Sequence, residues 1–342
     1  MERILTFRDA INETLRQEMR RDPKVFHIGE SLAGGAGIPE FENADGMGGS
    51  LGATKGLVKE FGRMRIMDTP ISEAGFIGAA LGASMVGLRP IVELQYASFF
   101  GVAGDQIFNQ IAKTRFLSGG KVDIHLVIRA PNGGGYGCAA HHSDMIYSMI
   151  THMPGWKTVA PSTPYDLKGL FTASIRDTDP VFFFEHVLLF DSKGPVPEEP
   201  YVIPLGKADV KREGTDVTIV AIQRMNLFAL KAAESLAKNG ISAEVIDPRT
   251  LSPLDEKTMT ESVQKTRKLV VVDEDQPRCS MAADIAATVA EKCFDYLEAP
   301  IKRVTAPHAS VPFSPPEEAY YIPSPEKIDD LLVSIFSRKK RN

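Results

Sequence analysis

Three stretches of this 342-residue chain combine side chains that can move protons or stack on rings with backbone open enough to admit a ligand. The first is Asp68-Thr69-Pro70-Ile71-Ser72-Glu73-Ala74-Gly75, which follows a short apolar strand. It opens a helix rich in small residues: Gly75, Gly78, Ala79, Ala80, Gly82 and Ala83. Pro70 and Ser72 are residue types of helix starts, and the small residues let a ligand or a second backbone approach closely. A carboxylate among such neighbours is poorly hydrated, so the proton affinity of Glu73 is expected to rise. On spacing alone, the same glutamate also suits the helix dipole in a first turn.

The second stretch holds Tyr96, Phe99 and Phe100, just after the strand Ile91-Val92-Glu93-Leu94. Rings beyond the carboxyl end of a strand can stack on a planar heterocycle, or simply pack a core. The third is Asn132-Gly133-Gly134-Gly135-Tyr136-Gly137, leading to Ala140-His141-His142-Ser143-Asp144. Polyglycine there lets the backbone wrap a ligand, and the histidines offer acid–base groups near neutral pH. Adjacent histidines on a helix face different directions and no third ligand matches them, which argues against a metal.

The elements that must carry these residues alternate along the chain. Thr6 and Asp9 make a capping-box-like start for a helix with Ile11, Leu15 and Met19 every fourth residue, and a strand follows at 25–28. A glycine-rich loop runs from Ser31 to Ser50. Strands are expected at 65–67, 90–94, 123–129, 157–160 and 181–185, and helices at 73–86, 102–117, 142–151 and 164–176. Apolar strands without clean alternation predict a parallel, doubly wound sheet covered on both faces. Pro195, Pro197, Pro200 and Pro204 interrupt the pattern. Strands at 216–221, 242–246, 268–272 and 301–304, with helices at 225–239, 281–297 and 326–337, then predict a second, smaller parallel α/β domain. The expected division is 1–190, a linker at 191–206, and 207–342.

Composition excludes several classes. A net charge of -5 gives no reason to expect nucleic acid or an anionic membrane as partner. The basic tail Arg338-Lys339-Lys340-Arg341 reads as a solvated helix end. Cys138, Cys279 and Cys293 are too few and too scattered for a disulfide framework, and no segment suits a signal peptide or membrane span, so a cytoplasmic location is expected. The chain has no G-x-x-x-x-G-K-[ST] loop, no dinucleotide glycine spacing, no nucleophile elbow, and no acidic Gly-Asp-Gly segment for a magnesium diphosphate. If it serves a cofactor enzyme, half of the cofactor site must come from another chain.

The segments G-E (29–30), D-T-P-I-S-E-A-G (68–75), G-L-R-P-I-V-E (87–93) and D-Q-I-F-N-Q-I-A-K (105–113) resemble the beta subunit of thiamine-diphosphate 2-oxo acid dehydrogenases. So do H-S (142–143), P-S-T-P-Y-D-L-K-G-L (161–170), E-V-I-D-P-R-T-L-S-P-L-D (244–255) and L-V-V-V-D-E (269–274). The likeness runs in one order from about residue 3 to residue 337. It implies a pyrimidine-binding domain followed by a transketolase-type C-terminal domain. Glu73 would then hydrogen-bond N1′ of the aminopyrimidine, favouring the imino tautomer whose nitrogen takes the thiazolium proton. Phe99 would stack on the pyrimidine, and His142 would act in reductive acylation of a lipoyl group. Glu30 would be a buried acid in a proton relay between paired sites.

The resemblance also implies a structural potassium ion at Leu126, Ser174, Ile175, Asp177 and Asp179, held mainly by backbone carbonyls. Glu298 in F-D-Y-L-E-A-P (294–300) would dock the lipoyl acyltransferase. An alpha subunit would supply magnesium and the diphosphate grip in a two-alpha, two-beta heterotetramer, which makes this chain inactive alone. An assembly subunit without catalysis is the contrasting reading, and intact Glu73, Phe99 and His142 argue against it. A stand-alone transketolase-like enzyme would need the diphosphate motif this chain lacks.

For the small-molecule substrate, the loop from Ala33-Gly34-Gly35-Ala36-Gly37 through Gly49 resembles the acetoin dehydrogenase branch, as do Q-E-M-R-R-D (17–22), T-H-M-P-G (151–155) and F-E-H-V-L-L-F (184–190). Acetoin cleavage is therefore expected ahead of decarboxylation of pyruvate or a branched-chain 2-oxo acid. Asp144 and His141 stand where glutamine is usual. A carboxylate added beside the catalytic histidine should raise its pKa and disfavour an anionic 2-oxo acid.

Overall fold

The computed structural model describes residues 3–34 and 47–337. The middle of the glycine-rich loop (35–46) and the basic tail Arg338-Lys339-Lys340-Arg341 lie outside the described residues. The chain divides into two compact units: 1–132 with 149–205, and 133–148 with 206–342.

The first unit contains β1 (Ile4–Thr6), α1 (Phe7–Arg21), β2 (Val25–Gly29), α2 (Leu57–Phe61), β3 (Ile66–Asp68), α3 (Glu73–Met85) and β4 (Arg89–Glu93). After a short helix and β5 (Val127–Asn132) come β6 (Lys157–Val159), α7 (Pro164–Arg176), β7 (Val181–His186) and β8 (Lys193–Pro195). Its parallel sheet runs β6-β7-β5-β4-β2-β3. Val25, Ile91, Val92, Val127, Ile128, Phe182 and Phe183 fill its core, the near-continuous apolar strands expected when helices cover both faces. Thr6 caps α1 by accepting the amide of Asp9 at 3.0 Å, and Thr163 caps α7 through Asp166 at 3.1 Å, with Pro164 in the first turn. A ribbon of β1 against β8 ties Ile4 to Pro195.

The second unit carries α5 (Ala140–Ser143), the start of α6 (Tyr147–Thr151), β9 (Asp209–Arg212), β10 (Val217–Ala221), α8 (Met225–Lys238), β11 (Ala243–Asp247) and β12 (Thr250–Ser252). Then follow α9 (Glu256–Thr266), β13 (Leu269–Val272), α10 (Met281–Cys293), β14 (Lys302–Val304), α11 (Pro315–Tyr321) and α12 (Pro325–Ser337). Its 5-stranded sheet has the order β14-β13-β10-β11-β9, parallel except for the edge strand β9. Val217, Ile219, Val245, Val270 and Val272 pack there against α8 and α12.

Several elements depart from the sequence reading. The helix expected over 102–117 contains a π-helical stretch, Gln106–Ile111, before α4 (Ala112–Leu117); such bulges follow packing constraints that periodicity does not reveal. The strand expected at 123–129 begins at Val127, where pairing with Val181 and Ile91 starts, and continues to Asn132. The helix expected at 142–151 breaks at Asp144, whose backbone is extended. Helix 281–297 ends at Cys293 and tightens to a 3₁₀ turn, Phe294–Tyr296. The strand β9 and the helices α9 and α11 are additional; α9 has its signal in Asp255, whose carboxylate caps Thr258 at 3.2 Å.

Candidate active site

In an open parallel sheet, ligands sit beyond the carboxyl ends of strands where the strand order reverses. In the first unit β2 has β3 on one side and β4 on the other. Glu30 directly follows β2, Glu73 follows β3, and Phe99 follows β4. Three of the expected residues therefore stand on adjacent strand ends.

Glu73 is the first residue of α3 and is 6% exposed. Ser72 precedes it as the cap residue, although its hydroxyl makes no capping bond. Glu30 is buried as well, and its Oε1 has no hydrogen-bond partner among the described residues. Burial raises the pKa of Glu30, and the charge of Glu73 raises it further. The turn that carries Glu30 is fixed by Asp68, whose Oδ1 accepts the amide of Ala33 at 2.7 Å. It is also fixed by the carbonyl of Gly29, which accepts Thr69 N–H at 3.0 Å. Gly29 has to be glycine: a Cβ would come within 2.7 Å of the Glu93 carbonyl oxygen. Phe99 is half-buried, with its ring edge-on to Tyr96 at 6.0 Å between centroids. Two neighbouring acids, one with an orphaned oxygen, and an aromatic face fit a protonatable planar heterocycle.

Beneath these residues runs a network the sequence reading missed. Arg129 on β5 donates to Glu185 on β7 at 2.8 and 2.7 Å, and also to Glu93 on β4. All three side chains are buried, and the His27 ring lies 3.7 Å from Glu93. Burial dominates the electrostatics: it pushes Glu93 up to about 7, with Arg129 opposing, and drives His27 well below its ordinary value. Gly49 leaves no room for a side chain beside the Glu93 carboxylate. The signal was present as Glu93, Arg129 and Glu185, each a charge next to a run of apolar strand residues.

The second unit contains His142, on α5 after the glycine turn. The preceding Ala139 has φ 57° and ψ −168°, a conformation almost reserved for glycine. Asp144 is raised in pKa by burial, and the histidine that opposes the shift is His141. The carboxylate expected to act on His142 thus has His141 as its charge partner.

The five residues of the expected cation site lie in the first unit, around the end of α7 and the entry to β7. The Leu126 carbonyl accepts Val181 N–H at 2.9 Å, and the Ser174 carbonyl accepts Asp177 N–H at 3.3 Å. The Ile175 carbonyl accepts Arg89 at 3.3 Å, and the Asp177 carbonyl accepts His125 Nδ1 at 2.7 Å. Lys157 bridges Asp177 at 2.8 Å and Asp179 at 3.1 Å, while Arg115 reaches Asp179 at 2.9 Å. Each carbonyl keeps a second lone pair, and the carboxylates already have cationic partners. That donor set suits a weakly held monovalent cation rather than a divalent one. Among the described residues no group of three or more His, Cys, Asp or Glu could hold a metal.

Glu298, in the second unit, is partly exposed and bridges Arg267 at 3.0 Å and Lys268 at 3.7 Å. No helix among the described residues is long and apolar enough to cross a membrane.

Comparison with known proteins gives the family of the chain. Residues 4–191 match the transketolase pyrimidine binding domain, and residues 206–328 match the transketolase C-terminal domain. The chain is 52% identical over its full length to all of the acetoin:2,6-dichlorophenolindophenol oxidoreductase subunit beta of Bacillus subtilis (strain 168). It is 44% identical, over 92% of this chain and 94% of the relative, to the pyruvate dehydrogenase E1 component subunit beta of the same organism. Among solved structures, a split gene transketolase described as an inactive beta4 tetramer superposes with a TM-score of 0.74 at 22% identity, covering 97% of this chain and 99% of the other. The chain therefore belongs to the transketolase-like family of beta subunits of acetoin and 2-oxo acid dehydrogenases.

Proposed function

We propose that this chain is the beta subunit of the first component of an acetoin dehydrogenase, holding the pyrimidine half of thiamine diphosphate. The observation that carries the reading is the meeting of Glu73 and the orphaned Glu30 at adjacent strand ends, in a chain 52% identical to an acetoin oxidoreductase subunit beta. When bound, the cofactor supplies a stabilised carbanion equivalent at its thiazolium carbon. This chain's own residues would do the rest. Glu73 holds a proton at N1′ of the pyrimidine, Phe99 packs on the ring, and Glu30 exchanges a proton with the Glu73 side.

His142 would act where the two-carbon unit passes to a lipoyl group. There the acyl carbon is oxidised as the S–S bond is reduced; one sulfur takes the acyl group and the other takes a proton. An alpha subunit would bring magnesium and the diphosphate grip in a two-alpha, two-beta assembly, because this chain has no motif for either. Glu298 would receive the lipoyl acyltransferase, and potassium would sit among Leu126, Ser174, Ile175, Asp177 and Asp179. In domain terms, the reading takes 1–190 as pyrimidine-binding, 191–206 as linker and 207–342 as the C-terminal domain.

The direct test is reconstitution with an alpha subunit and thiamine diphosphate. Dye-coupled kcat/KM is then compared for acetoin, pyruvate and a branched-chain 2-oxo acid. Acetoin is expected to lead by at least about tenfold, the scale of a well-discriminating contact. A lead for either 2-oxo acid would reassign the substrate.

A further inference from the structure

The segment that carries His142 is held by carboxylates from distant parts of the second unit. At its glycine end, Glu274 Oε1 accepts the amide of Gly134 at 2.7 Å. Glu318 Oε1 accepts the amide of Gly135 at 2.6 Å, and its Oε2 accepts that of Gly137 at 3.1 Å. Both side chains are almost fully buried, and the charge of each acts on the half-buried guanidinium of Arg224. At the other end, Tyr147 donates to Asp273 and Ser148 donates to Asp275 at 2.7 Å. Between these anchors lie the strained Ala139 and the short helix with His142.

A turn with glycines at φ 93° (Gly135) and 73° (Gly137) has little conformational preference of its own. Backbone amides given to an ionised acceptor form strong, directional bonds. We propose that Glu318, with Glu274, is a positioning residue: it clamps the glycine turn so that the strained Ala139 bend presents His142 in one geometry for acyl transfer to the lipoyl group. The inference rests on the role given to His142 above. Glu318 touches neither substrate nor cofactor in this account; it acts through the turn.

The test uses the assembled complex with a lipoyl domain and compares wild type with Glu318→Ala, Glu318→Gln and His142→Ala. Three quantities are read: 2,6-dichlorophenolindophenol reduction, acyl transfer to the lipoyl domain, and amide hydrogen exchange over residues 133–142. Glu318→Ala should speed exchange at the glycine turn and slow lipoyl transfer by about 10- to 100-fold, the cost of an ångström-scale misplacement. Dye reduction should stay within about threefold of wild type, since that readout does not require the transfer geometry. Glu318→Gln keeps one acceptor oxygen and should fall between the two, and it serves if the alanine variant does not fold. Unchanged exchange at the turn, or equal losses in both activities, would overturn the clamp. If His142→Ala itself lowers both activities equally, the role of His142 fails; the clamp then stands or falls on the exchange data alone.

Discussion

Glu73 and Glu30 are neighbouring acids, and the effect of the first on the second has a measurable sign. Burial and the Glu73 charge both raise the Glu30 pKa, so Glu73→Gln should lower it by removing the second cause. A pH titration of Glu30 in the assembled complex would follow this; an unmoved or raised value would show that the two carboxylates do not interact. Asp144 belongs to the same scale. Burial raises its pKa, and the neighbouring His141 opposes the rise. Asp144→Gln removes an acid that disfavours an anionic substrate, so pyruvate should gain on acetoin by roughly 2- to 5-fold in kcat/KM, the scale of one solvent-screened charge contact. An unchanged ratio would free Asp144 from any part in selectivity.

At the scale of elements, the buried Arg129 joins three neighbouring strands. Arg129→Met would leave Glu93 and Glu185 facing each other without a counter-charge, a change expected to cost about 3–5 kcal/mol in urea unfolding. The raised Glu93 adds a pH dependence. Its folded value of about 7 lies above the ordinary 4.5, so the native state holds a proton that the unfolded chain has released. That contribution is complete below the unfolded value and is lost as pH rises through the folded one. Unfolding free energy should therefore fall less steeply between about pH 4.5 and pH 7 in Glu93→Gln than in wild type. The end of α7 offers another test: potassium chloride should raise the unfolding midpoint above that in equal sodium chloride, and equal midpoints would remove the ion from the account.

The same elements explain what the sequence made legible. The cap at Thr6 and the apolar strands announce themselves locally, and the strands bring Glu30, Glu73 and Phe99 to neighbouring strand ends. The Arg129 network does not, because its partners lie 36 and 56 residues away and nothing local pairs Glu93, Arg129 and Glu185. The Glu274 and Glu318 anchors were hidden for the same reason, at separations of 140 and 183 residues. Helix α11, which supplies Glu318, is only a seven-residue element opened by Pro315 and Pro316, and short elements carry little periodic signal.

For the whole molecule, the governing fact is a chain built to position acids and a ring at strand ends, yet without a segment for binding a diphosphate. A subunit of this kind should not turn over acetoin alone, and should do so once an alpha subunit is added. The most direct test of the role given to Glu73 is the exchange of the thiazolium C2 hydrogen of thiamine diphosphate in the assembled complex, followed by rapid quench and NMR. Glu73→Gln should slow that exchange by about 10²- to 10⁴-fold, the usual contribution of a positioned proton-transfer group. Exchange at the wild-type rate in that variant would contradict the account.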